Sequence, residues 1–251
     1  MESVEKYSNM ISGYIDVDGE RMRSFLECWR EQTKNYADRE NIPWVSKYTD
    51  RYQAHELEKL PVSFRNFWKV VSDVGWMSLY DLGEERRFLK IREHDYLKAK
   101  DHEYYQIFIE TIAGYQDPDY KYYVYNKNQD DLGPTKRDID NLLIVGSGRD
   151  SVIIGIIDNE RSLDGEYQAY WYSPHQFGVR VKSFAHLLVH LYLQEYQYIN
   201  SLDDSMDHIY FFDGDWGDTC VPLLFDEAEI ASWSVQAPGR RGSLFGEIER
   251  N

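Results

Sequence analysis

The sequence predicts a mixed fold in which an antiparallel β-meander is closed by an amphipathic α-helix. Three observations in the run Asn141–Leu191 predict it. Leu142–Val145 and Val152–Ile157 are short apolar runs rich in β-branched residues, and Gly146-Ser147-Gly148-Arg149-Asp150 between them reads as a hairpin loop. Tyr167–Tyr172 is an aromatic strand set off by the turn residues Asp158-Asn159-Glu160 and Leu163-Asp164-Gly165, and Val179–Val181 follows Ser173-Pro174. Ser183 then opens a helix with Leu187, Leu188, Leu191 and Tyr192 on one face, the spacing a 3.6-residue period requires.

Ahead of the meander the pattern is helical. Arg21–Tyr36 places Met22, Phe25, Leu26 and Trp29 at helical spacing with charges opposite, and Asn41-Ile42-Pro43 breaks the chain. A second helical stretch covers Tyr52–Leu60. Pro61 opens a third, with Ser63 as a capping side chain, Phe64, Phe67, Trp68 and Val71 along one face, and Gly75 where the helix should stop. Met77–Leu82 and Phe88–Ile91 read as short strands around the turn Asp81–Glu85, followed by a short helix over Asp95–Lys100. Gln106–Ile112 suits a strand or a helix, and Tyr120–Tyr125 alternates as a strand does. Asn126–Asp140, centred on Gly133-Pro134, is a polar surface loop.

Composition bounds the class. With 251 residues, 42% of them hydrophobic, the chain can bury a full core and is globular. Aromatic residues reach 16%, including 21 Tyr and 7 Trp, which suits contact surface as well as a β-rich core. Twenty-eight Lys and Arg stand against 44 Asp and Glu, a net charge of −16 that attracts a basic partner and repels nucleic acid. That acidity is patterned. From Ser183 to Gly239 there is no Lys or Arg, whereas ten acids occur, nine of them between Asp203 and Glu229. Two cysteines, Cys28 and Cys220, do not indicate a disulfide framework, so a reducing compartment is expected. The polar, acidic opening MESVEKYSNM is no secretory leader, and no run of 18 apolar residues spans a membrane. The expectation is a soluble, cytoplasmic protein.

Catalytic and metal readings find little support in the residues. Gly146-Ser147-Gly148 would need its third glycine at Ser151, and it leads into a β-branched run rather than a helix that could hold a phosphate. His186 and His190 have the i, i+4 spacing of a zinc pair, but Leu187 stands where a general-base Glu would be. No further ligands complete a shell, so two histidines packed on the sheet are expected. Asp213, Asp215 and Asp218 resemble the start of a calcium loop, yet loop position twelve is Leu224. There is no Gly-x-Ser-x-Gly, and neither cysteine lies in an electropositive setting. No catalytic residue, metal or cofactor is expected.

The helix ending in Leu60-Pro61, followed by FRNFWKVVSDVGW, resembles the opening of the SUKH superfamily (Smi/Knr type). LLIVGSGRDSVIIGIID is similar to the central hairpin of that family, and VKSFAHLLVHLYL to its closing helix. The resemblance spans Tyr52 to Tyr198. It implies an α+β domain with a central antiparallel sheet flanked by helices over residues 51–200. A helical extension (residues 1–50) precedes that domain, and an acidic extension (201–251), packed on the same domain, follows it. It further implies a non-catalytic immunity protein that neutralises a bacterial toxin, often a nuclease, or a regulatory interaction module. The expected partner is a cognate toxin domain with a basic surface, without direct nucleic-acid or membrane binding. The expected partner-binding residues are Asp203, Asp204, Asp207, Asp213, Asp215, Trp216 and Asp218, where charge steers association and the aromatic side chain anchors it. The alternatives are an acidic nucleic-acid mimic or regulatory scaffold, and a purely solvated acidic extension.

Overall fold

A computed structural model describes residues 16, 18–42, 60–74, 86–88, 142–148, 153–161, 165–173, 176–200 and 216–232. In chain order these form helices α1 (Glu20–Arg39) and α2 (Val62–Val74), then strands β1 (Arg86–Phe88), β2 (Leu142–Gly148), β3 (Ile153–Arg161), β4 (Tyr167–Ser173) and β5 (Gln176–Val181). Helix α3 (Phe184–Ile199), a 3-10 turn (Trp216–Asp218) and the short helices α4 (Val221–Leu224) and α5 (Glu227–Ser232) complete them. The chain is α+β. The elements expected at Tyr52–Leu60, Met77–Leu82, Asp95–Lys100, Gln106–Ile112 and Tyr120–Tyr125, and the loop Asn126–Asp140, lie wholly or almost wholly outside the described residues.

The five strands form one antiparallel sheet in the order β1-β2-β3-β4-β5. Each of these strands lies beside its neighbour in sequence, through short connections from β2 to β5 and across the 53 residues that separate β1 from β2. Two details correct the sequence reading. Gly146, Ser147 and Gly148 belong to β2, not to a hairpin loop: Gly146 pairs with Phe88 on one side and Ile154 on the other. The register slips between Ile144 and Gly146, so the extra residue is absorbed as a bulge. This stretch is sheet backbone rather than a phosphate cradle. The expected turn Asp158-Asn159-Glu160 likewise stays within β3, where the register against β4 shifts between Ile156 and Arg161.

Cross-strand register explains how the sheet meets the helices. Ile156 pairs with Ala169 and Ala169 with Val181, which lines three apolar residues across β3, β4 and β5. All three are buried in the core cluster. Helix α3 lies over them, and its residues Phe184–Leu193 are all buried. An amphipathic helix would leave one face wet. This helix is enclosed because the sheet covers one side while α1, α2, α4 and α5 contribute to the same core on the others.

The apolar stripe of α1 runs further than its four expected residues. Met22, Phe25, Leu26 and Trp29 are buried, and so are Thr33 and Ala37, one and two turns on. The Phe25, Trp29 and Tyr192 rings meet edge to face, with centroids 5.4–5.7 Å apart. Phe64 and Phe67 of α2 close on Phe184 at 4.8 and 5.4 Å. The N-terminal helix is thus part of the main core, and Thr33 donates its buried hydroxyl to Glu195 of α3.

A carboxylate holds the start of each N-terminal helix, a local one at α1 and a distant one at α2. Gly19 precedes α1 with φ +75°, a left-handed backbone that glycine adopts without penalty. It has no side chain to offer, and Asp16 accepts the Met22 N–H at 2.8 Å instead. At α2 the expected Ser63 cap is corrected. Ser63 lies inside the first turn, and it donates both its N–H (2.6 Å) and its hydroxyl (2.7 Å) to the buried carboxylate of Glu166. Pro61 serves as the flanking residue, its carbonyl accepting the Arg65 N–H. Glu166→Ala leaves two buried donors without their acceptor at a helix N-terminus. It is expected to cost about 2–4 kcal/mol, read from the urea midpoint at unchanged m.

Candidate recognition surface

The C-terminal segment begins with the 3-10 turn. Trp216 is half-buried against the core, while Gly217 and Asp218 are exposed. Thr219 fixes this turn by donating its N–H (3.1 Å) and its hydroxyl (2.8 Å) to the Trp216 carbonyl. Its oxygen accepts the Val221 N–H in turn. Trp216 therefore packs partly on the core, while Asp218 on the same short turn is exposed. Asp218 also acts on α3: burial and then the charge of Asp218 raise the Tyr196 hydroxyl above its ordinary range. Of the other expected partner-binding residues, Asp203, Asp204, Asp207, Asp213 and Asp215 lie outside the described residues.

Behind the turn the segment is fastened by three ties. The first corrects the cysteine expectation: Cys28 of α1 and Cys220 are joined in a disulfide, with Cα atoms 5.9 Å apart and a sequence separation of 192. Two cysteines that far apart carry no distance information until the fold sets α1 beside α4. The second tie runs through Tyr192, whose hydroxyl accepts the Cys220 N–H and donates to Gln32, both at 2.9 Å. Burial pushes this hydroxyl far above its ordinary pKa, although its hydrogen bonds to Cys220 and Gln32 oppose the shift. It stays protonated and can keep both bonds.

The third tie is electrostatic. Glu229 of α5 lies 3.0 Å from His186 Nε2 and 3.5 Å from Lys182 Nζ. An ionised carboxylate only accepts, so Nε2 carries a proton. His186 Nδ1 lies 2.8 Å from the Ser183 hydroxyl oxygen, and that oxygen accepts the His186 N–H as the α3 cap. The order Ser, His, Glu is that of a hydrolytic triad. Ser183 is only 1% exposed and engaged in capping, so this array acts as a clamp between α3 and α5. His186 also packs on the Phe225 ring at 4.6 Å, which corrects the expectation that it faces the sheet.

Asp226 starts α5 by accepting the Glu229 N–H at 2.8 Å, and Val221, Leu224, Phe225 and Ile230 join the core. Pro222, Leu223, Asp226 and Glu227 face outward, with Leu223 43% exposed. Sequence reasoning missed Tyr192, His186 and Glu229 as fasteners because periodicity reports which face is buried, not what a polar tip meets. Among the described residues, no group of His, Cys, Asp and Glu is arranged to hold a metal ion, and no helix is long and apolar enough to cross a membrane. No family model, curated protein or solved structure matches the chain.

Proposed function

We propose that the chain is a non-catalytic immunity protein of the SUKH type. It binds a cognate bacterial toxin domain through its acidic C-terminal segment and occludes the toxin's active site. One observation carries the reading: a stretch with ten acids and no Lys or Arg from Ser183 to Gly239 includes an exposed Asp218 on a turn fastened to the core. A nuclease fits this chemistry best, because its active site must present Lys and Arg to phosphates. A fixed acidic surface competes for those groups and steers their approach. Trp216 beside the charge supplies aromatic area of the kind that anchors interfaces. The α+β architecture, with a meander closed by α3, agrees with the SUKH resemblance. We place the protein in the cytoplasm, where such a toxin would act.

The test first reads the gene neighbouring this chain's own and, where that gene encodes a toxin domain, uses that domain as the partner. Wild-type protein should co-purify with it and protect cells expressing it. The triple reversal Asp213→Lys, Asp215→Lys and Asp218→Lys should lose most of that protection while folding normally. Full protection by the reversed protein would sink the acidic surface, and absence of any toxin binding by wild type would sink the immunity reading. A neighbouring host-regulator gene in place of a toxin would favour the scaffold alternative.

A further inference from the structure

We infer that Cys28–Cys220 is a reversible redox site, opened by attack at Cys28, that sets how firmly the acidic C-terminal segment is held. The chemistry stands on the fold alone; its consequence for partner binding rests on the proposed function. The two sulfurs are placed unequally. Cys220 is 0% exposed, whereas Cys28 is only partly buried on α1. A thiolate must approach a disulfide sulfur from outside, and Cys28 is the residue of the pair that reaches the surface, so the attack is assigned to its sulfur.

The exchange with a small thiol reductant balances as follows. The reductant thiolate attacks Cys28 Sγ, the Cys28–Cys220 bond breaks, and Cys220 Sγ leaves with the electron pair and takes a proton. A second reductant thiolate attacks the sulfur of the first in the mixed disulfide. The oxidised reductant is released, and Cys28 leaves as a thiol. Two thiols are oxidised to one disulfide, and one protein disulfide is reduced to two thiols. In a cytoplasm this bond is of the transient, regulatory kind, since glutathione and thioredoxin systems keep thiols reduced there.

Reduction removes one of three ties and leaves the others. Tyr192 still accepts the Cys220 N–H, Glu229 still meets His186, and Val221, Leu224, Phe225 and Ile230 still pack. The expected result is a segment that opens more often on an intact core, not a chain that unfolds. Oxidation therefore fixes the turn carrying Trp216 and Asp218, and reduction loosens it.

The experiment uses the full-length chain purified without reductant. Alkylation of the native protein should label neither cysteine. A brief glutathione exposure followed by acid quench should place the adduct on Cys28 by peptide mass. The Cys220 thiol of the variant Cys28→Ser should alkylate more slowly than the Cys28 thiol of the variant Cys220→Ser. After full reduction, amide exchange over residues 219–232 should quicken about tenfold or more beyond whatever quickening residues 184–193 show from the global loss of stability. Complete labelling of both cysteines in the unreduced native protein overturns the proposal. So does an adduct mapped to Cys220, or exchange over 219–232 that quickens no more than exchange over 184–193. A chain that passes these tests but binds no toxin domain in either redox state keeps this site and loses the immunity reading.

Discussion

Replacing Phe184 by alanine is expected to lower stability by about 3–5 kcal/mol, the range for emptying a large aromatic site in a packed core. Phe184 opens α3 and is fully buried, and it is where α2 and α3 meet. Its ring touches Phe64 at 4.8 Å and Phe67 at 5.4 Å, so truncation forfeits two edge-on ring contacts as well as apolar burial. The neighbours are themselves large and interlocked, Phe64 and Phe67 with each other and with Trp68, so little collapse can refill the space. Urea denaturation should show a lower midpoint at nearly unchanged m. Phe184→Leu keeps most of the volume and should cost much less. A loss below about 1 kcal/mol for the alanine variant would mean that α3 is not the pivot of the core.

The second large effect is expected from removing the disulfide. A crosslink spanning 192 residues removes much of the freedom of the unfolded chain, worth about 5 kcal/mol by loop-closure reasoning. Native-state geometry commonly trims such figures, so Cys28→Ala combined with Cys220→Ala should lose about 2–5 kcal/mol. Calorimetry of oxidised wild type against the double variant checks this. The oxidised wild type should melt higher, and reduced wild type should approach the variant. Equal melting of oxidised and reduced wild type would mean that the bond does not constrain the unfolded chain.

Much of the framework was legible in the residues because burial follows periodicity. Met22, Phe25, Leu26 and Trp29 show at a glance which face of α1 turns inward, and Ser183 marks the start of α3. The β-branched runs announced β2 and β3. Glycine misled: in Gly146-Ser147-Gly148 the small residues serve a bulged strand paired on both sides, and local turn chemistry cannot distinguish that from a hairpin. Asp158-Asn159-Glu160 misled for the same reason.

Long-range polar contacts were not legible. Nothing near Ser63 announces that its donors are met by Glu166, a separation of 103 residues, or that His186 meets Glu229 43 residues on. The cysteine pair offered one signal, an even count, but only the packing of α1 beside α4 makes it a bond. For the candidate surface, sequence charge singled out the stretch. The fold added the way in which its C-terminal end, at Trp216–Asp218, is fastened.

The central claim is that this fastened acidic segment recognises a basic partner. The direct measurement is the stopped-flow association rate of the toxin domain with wild-type protein and with the triple reversal at Asp213, Asp215 and Asp218, across a salt series. Steering by charge predicts a fast wild-type rate that falls steeply as salt rises, and a variant rate that is slower by about tenfold or more at low salt. The two should converge at high salt. Equal rates for both proteins, with the same weak salt dependence, would contradict the account.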